Sequence, residues 1–102
     1  MANLVVIYGK PPDPTAFDAY YFGRHVPLAK TIPGLRSYTV SRGPVATPAG
    51  PAEAHLVATL EFDDMAAIQA AFASPEGQAA AADVRSFATG GAEMLMFETA
   101  QV

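Results

Sequence analysis

Tyr20-Tyr21-Phe22-Gly23-Arg24-His25-Val26-Pro27-Leu28-Ala29-Lys30-Thr31-Ile32-Pro33-Gly34-Leu35-Arg36-Ser37-Tyr38 reads as a helix handing over to a strand through a Pro-Gly break. It gathers polar-tipped aromatics and one of the chain's two histidines into an otherwise apolar unit. On a helix, Tyr21 and His25 stand at i and i+4 and project from one face. Pro27 lacks a backbone donor and disturbs the helix just beyond His25, which can turn the imidazole toward a cavity. An imidazole titrates near pH ~6.5 and can give or take a proton at ordinary pH.

Upstream, Leu4-Val5-Val6-Ile7-Tyr8 is a β-branched run apolar on both alternating faces, as an inner strand covered on both sides would be, and Gly9-Lys10-Pro11-Pro12 closes it. Asp13-Pro14 supplies an N-cap and a first-turn proline. A helix is therefore predicted from there to about Lys30, with Phe17, Tyr20 or Tyr21, Arg24 or His25, and Leu28 following at three- and four-residue spacing. Downstream of the break, Leu35 to Arg42 sets Arg36, Tyr38, Val40 and Arg42 against Leu35, Ser37, Thr39 and Ser41, the pattern of an amphipathic edge strand. Gly43 to Pro51, with three prolines and two glycines, has no periodicity and is predicted to be a loop.

His55 to Phe62 alternates, with Leu56, Ala58, Leu60 and Phe62 on one face and His55, Val57, Thr59 and Glu61 on the other. Asp63-Asp64 caps a helix carrying Met65, Ile68 and Phe72. Ser74-Pro75-Glu76 restarts it, and Ala80, Val84 and Phe87 continue the apolar stripe. Gly90-Gly91 ends the helix, and Glu93 to Thr99 alternates as a last strand.

The order βαββαβ predicts an α+β protein, a ferredoxin-like sandwich in which a four-stranded antiparallel sheet carries two helices on one face. Residues 1–102 form a single domain. The sheet face without helices would leave Val5 or Val6, Val57, and Leu95 or Met94 in water. A homodimer that closes two sheets back to back into a barrel, through the face carrying Val57 and Thr59, removes that exposure.

Composition narrows the partners. A formal charge of −4 with six Lys plus Arg provides no basic stripe for phosphates, so nucleic acid is not expected. Cysteine is absent, which excludes disulfides, thiolate metal sites and a Cys nucleophile. The N-terminal run is too short to span a membrane and carries no basic leader, so the expectation is a cytoplasmic protein without a membrane partner. Metal-ligand spacings, serine elbows and phosphate-cradling glycine loops are missing, so neither a metal nor another cofactor is expected.

The block His25-Val26-Pro27-Leu28, the turn Ile32-Pro33-Gly34-Leu35 and the helix restart Ser74-Pro75-Glu76-Gly77 together resemble the EthD-like family of dimeric α/β-barrel proteins, over about Leu4 to Thr99. The resemblance implies the fold and a homodimer, and it links the chain to the breakdown or biosynthesis of small apolar compounds. Cofactor-free isomerases, cyclases and monooxygenases of that superfamily bind a small organic substrate between helices and sheet. Carried onto this chain, the matching position is His25, with Tyr38 as its neighbour. The heme-degrading branch has a pocket tryptophan with no counterpart here, since the chain contains no Trp.

His25 and Tyr38 are thus the candidate catalytic residues, the first as proton-moving group and the second as hydroxyl donor. Tyr21, Phe17, Leu28 and Arg42 are candidates for binding a small apolar organic ligand. Tyr20 is expected to pack with its tip in water, and His55 to lie on the dimer side of the sheet or at its rim. The sequence supports a small cofactor-independent enzyme acting on an apolar or aromatic carbonyl compound by proton transfer, isomerisation, cyclisation or oxygenation. The rival reading is a non-catalytic dimer that binds or delivers such a ligand, and the third is a purely structural dimer with no pocket.

Overall fold

In the computed structural model, which describes residues 1–102, the chain runs β1 (Ala2–Gly9), α1 (Pro14–Tyr20), a π-helical turn (Tyr21–His25) and α2 (Val26–Ala29). It continues through β2 (Ser37–Val40), β3 (Ala46–Thr47), β4 (Gly50–Pro51), β5 (Ala54–Phe62), α3 (Met65–Ala73), α4 (Pro75–Phe87) and β6 (Ala92–Glu98). The main sheet is antiparallel in the order β2-β5-β1-β6, a ferredoxin-like arrangement with β1 inside and β2 at an edge, as their patterns require. β3 and β4 pair as a separate small hairpin, so the predicted loop between Gly43 and Pro51 is partly ordered. Ala49 N–H donates to Thr47 Oγ1, and Gly50, at φ 137°, supplies a backbone geometry open to glycine.

Strand register resolves which apolar residues face the helices. Ala2, Leu4, Val6 and Tyr8 of β1 are buried in line with Leu56, Ala58, Leu60 and Phe62 of β5, and Phe17, Tyr21, Ile68, Val84 and Phe87 cover them from the helices. Val5 lies between Thr59 and Leu95 on the opposite face, and Ile7 between Val57 and Glu93. Val5 and Leu95, rather than Val6 and Met94, therefore occupy the face without helices. β6 is poorly covered on both sides, with Met94, Leu95, Met96 and Phe97 each more than two-fifths exposed. No helix is long and apolar enough to cross a membrane.

The helix predicted to run unbroken to about Lys30 widens at its centre. Val26 N–H bonds to the Tyr21 carbonyl, five residues back, just before Pro27. In a regular α-helix the Pro27 ring would press on the Gly23 carbonyl, and the π-turn relieves that contact. The turn also holds Tyr21 and His25 inward, where both are buried.

The caps are those expected. Asp13 accepts from Ala16 N–H, Asp64 from Ala67 N–H and Ser74 from Gly77 N–H.

Candidate active site

Small side chains hollow the space between the helices and the sheet. Ala58 on β5, Ala29 on α2, Ala71 on α3 and Gly77, Ala80 and Ala81 on α4 all face a cavity of about 50 Å³. Apart from His25 and Gly77, every lining residue is hydrophobic. Met94 of β6 is the one lining residue that is exposed, at 41%, and it marks the mouth.

His25 reaches this cavity from the π-turn and is 5% exposed. Its Nδ1 stands 2.9 Å from Oδ2 of Asp83 on α4, and the Tyr20 hydroxyl donates to Asp83 Oδ1 at 2.6 Å. Burial pushes the Asp83 carboxyl up, but the hydrogen bonds from Tyr20 and His25, with the nearby positive charge of Arg24, outweigh it and hold the group below its usual range. When the imidazole is neutral, an ionised Asp83 holds its one proton on Nδ1, so that Nε2, which has no partner in the protein, carries the lone pair. The imidazole packs 4.7 Å from the Phe87 ring and 5.3 Å from that of Tyr21.

Tyr21 and Tyr38 meet hydroxyl to hydroxyl at 2.6 Å, the first from the π-turn and the second from β2. Burial is the main cause that pushes both hydroxyls up, so they stay neutral donors over the working pH range. Tyr38 lies beside Leu60 in register, which puts its strand face toward the helices and its ring at the cavity wall.

Three other candidates lie outside that wall. Phe17 is buried in the aromatic layer, stacked on Tyr21 at 5.7 Å. Leu28 is half-buried on α2, and its neighbour Ala29 takes the lining position. Arg42 is exposed in an outer groove together with Phe22, Asp18 and His55.

His55 departs from simple alternation. Tyr8 pairs with Leu56 and Gly9 with Ala54, so His55 falls in a bulge. The bulge aims it at α1 instead of the dimer side, edge-on to Phe17 at 4.9 Å and 2.8 Å from Asp18 Oδ1. Arg36 is held by Asp63 through two hydrogen bonds at the surface.

Asp83, Tyr20 and Tyr8 were missed as site residues. Asp83 borders the stripe Ala80, Val84 and Phe87, and a lone acid in that place on an alanine-rich helix was the available signal. Tyr20 does not end in water but braces Asp83. Tyr8 is legible as a helix-facing strand residue by its phase with Leu4 and Val6, whereas nothing in the sequence places its hydroxyl. No three His, Cys, Asp or Glu side chains converge to hold a metal ion.

A model of the EthD domain matches residues 10–91, a span that holds His25, Tyr38 and Asp83 together. The chain belongs to the EthD family. This EthD-family protein is 42% identical over 95 residues to an uncharacterized 11.0 kDa protein in the thcB-thcC intergenic region of Rhodococcus erythropolis, covering 93% of this chain and 91% of that one. It is 35% identical to an EthD-family protein of Bacillus halodurans, whose crystal structure superposes with a TM-score of 0.90 over 98% of this chain and 99% of the other. SnoaB, a cofactor-independent oxygenase from Streptomyces nogalater, shares the fold at 20% identity and a TM-score of 0.68, over 99% of this chain and 94% of its own.

Proposed function

We propose that this EthD-family protein is a small enzyme that removes a proton next to the carbonyl of a small apolar or aromatic compound, without a metal or organic cofactor. The observation that carries the reading is the unpartnered Nε2 of His25 in an otherwise apolar cavity, with Asp83 behind Nδ1. Nε2 takes the proton, the C–H electrons form a C=C bond, and the carbonyl π electrons move to oxygen. Asp83 stabilises the imidazolium, and tyrosine hydroxyls stabilise the developing oxyanion. The resulting enolate is the common entry to isomerisation, to cyclisation and, with dioxygen as co-reactant, to oxygenation. SnoaB supports the reading to the extent that this fold carries cofactor-free oxygenation in another protein. The test is deuterium incorporation from D₂O into one-ring aromatic ketones. Exchange above the buffer rate that depends on His25 supports the reading, and binding without exchange replaces it with a non-catalytic carrier.

The working unit in this proposal is a homodimer. Val5, Ile7, Val57, Leu95 and Phe97 share the sheet face that no helix covers, and a second copy laid on that face would bury them. Light scattering should report twice the 10.6 kDa chain mass. Val57→Lys should shift the protein toward monomer, because it places an unpaired charge in the interface. A wild-type monomer at micromolar concentration would remove the interface.

A further inference from the structure

Tyr8 stands on the helix-facing side of β1, 1% exposed, with its ring 5.5 Å from those of Phe17, Tyr21 and Phe87. A hydroxyl buried to that degree ordinarily has a partner, because enclosure without one forfeits its bonds to water. The Tyr8 hydroxyl has none. The other tyrosine hydroxyls each have a protein partner: Tyr20 donates to Asp83, and one of Tyr21 and Tyr38 donates to the other, which keeps its own hydrogen.

Asn3 Oδ1 is the single fully enclosed side-chain oxygen or nitrogen without a partner. The unbonded Tyr8 hydroxyl and His25 Nε2 therefore both keep contact with open space, and the space these buried residues line is the cavity. One wall thus offers an unused donor and another an unused acceptor.

We propose that the Tyr8 hydroxyl is a substrate-binding group that holds the substrate oxygen while His25 Nε2 holds the adjacent acidic hydrogen. The assignment rests on the enzymatic reading of the cavity and narrows it. A donor and an acceptor facing one small apolar space fit a compound that presents an oxygen acceptor and an acidic hydrogen close together, an enolisable ketone or its enol. Burial first, then the nearby Tyr38 and Asp83, raise the Tyr8 hydroxyl well above its ordinary range, so it remains a donor as charge develops on the substrate oxygen.

The experiment is calorimetric titration with two probes, 4-nitrophenol as a stand-in for the enolate oxygen and nitrobenzene as the same ring without it. Tyr8→Phe should weaken 4-nitrophenol about 10- to 100-fold, as loss of a hydrogen bond to a charged oxygen does, and nitrobenzene by no more than about twofold. It should melt at or above the wild-type temperature, because no bond within the free protein is lost. Equal 4-nitrophenol affinity in Tyr8→Phe, with the affinity lost in His25→Ala, removes Tyr8 from the site and leaves the proposed function standing. Melting more than about 5 °C below wild type, or failure to fold, would mean that the hydroxyl has a structural partner and overturns the proposal. If wild type binds neither probe, both readings fall together.

Discussion

His25→Ala is expected to lower the deuterium exchange of a one-ring aromatic ketone by about a hundredfold to ten-thousandfold, the usual weight of a positioned general base. The size follows from the site, in which Nε2 is the only lone-pair nitrogen facing the cavity and no neighbouring side chain can take its place. Folding should survive. Asp83 keeps the Tyr20 hydroxyl at 2.6 Å and retains partial access to water, its side chain being 15% exposed, so loss of the imidazole does not strand an isolated buried charge. Circular dichroism and a thermal melt check this side of the expectation. A variant that exchanges as fast as wild type would make His25 a packing residue, and one that fails to fold would make it a structural one.

Gly77→Ala should destabilise the protein by about 3 kcal/mol, a drop of roughly 10–20 °C in melting temperature for a domain of this size. Helix propensity alone predicts the opposite sign, since alanine is favoured over glycine within a helix by about 1 kcal/mol. Packing decides. A Cβ at Gly77 would overlap the Ala71 carbonyl oxygen and come within 2.7 Å of its carbon, both rigid backbone atoms at the end of α3. The same junction is tied by Ser74, whose hydroxyl donates to the Ala71 carbonyl at 2.6 Å and accepts from Gly77 N–H at 3.0 Å. Relief requires α4 to move away from α3, and Ala71, Gly77 and Ala80 all line the cavity, so ligand affinity should fall with stability. Chemical denaturation measures the effect. A variant as stable as wild type would show that the two helices slide apart freely.

The elements were legible where local chemistry fixes them. Asp13-Pro14, Asp64 and Ser74-Pro75 cap helices because their side-chain oxygens find backbone donors within one turn, and that requires no knowledge of the rest of the fold. The alternation from Leu56 to Phe62 fixed which side of β5 is buried, and the doubly apolar β1 fixed its inner place. Tyr21 and His25 could be read as neighbours from their spacing, and Tyr38 as a cavity residue from its strand face.

Long-range partners were not legible. His25 and Asp83 lie 58 residues apart in the sequence, and only the docking of α4 against the π-turn brings them together. The π-turn itself is a tertiary compromise around Pro27 that helix propensity does not encode. His55 escaped because one unpaired residue in a bulge reverses the direction that strict alternation assigns. What sets the Tyr8 hydroxyl apart is tertiary too: the hydroxyls of Tyr20, Tyr21 and Tyr38 each meet a partner brought from elsewhere in the fold, and that of Tyr8 meets none.

The two histidines provide an internal control for the claim that the space beside His25 is the ligand site. His25 lines the cavity, whereas His55 lies outside it against Phe17 and Asp18. The direct measurement is nitrogen-15 NMR of both rings during titration with acetophenone. The predicted result is that the neutral His25 ring carries its proton on Nδ1, beside Asp83, and that the His25 ring shows saturable shifts with His55 unmoved. Shifts confined to His55, or none at either histidine, would contradict it.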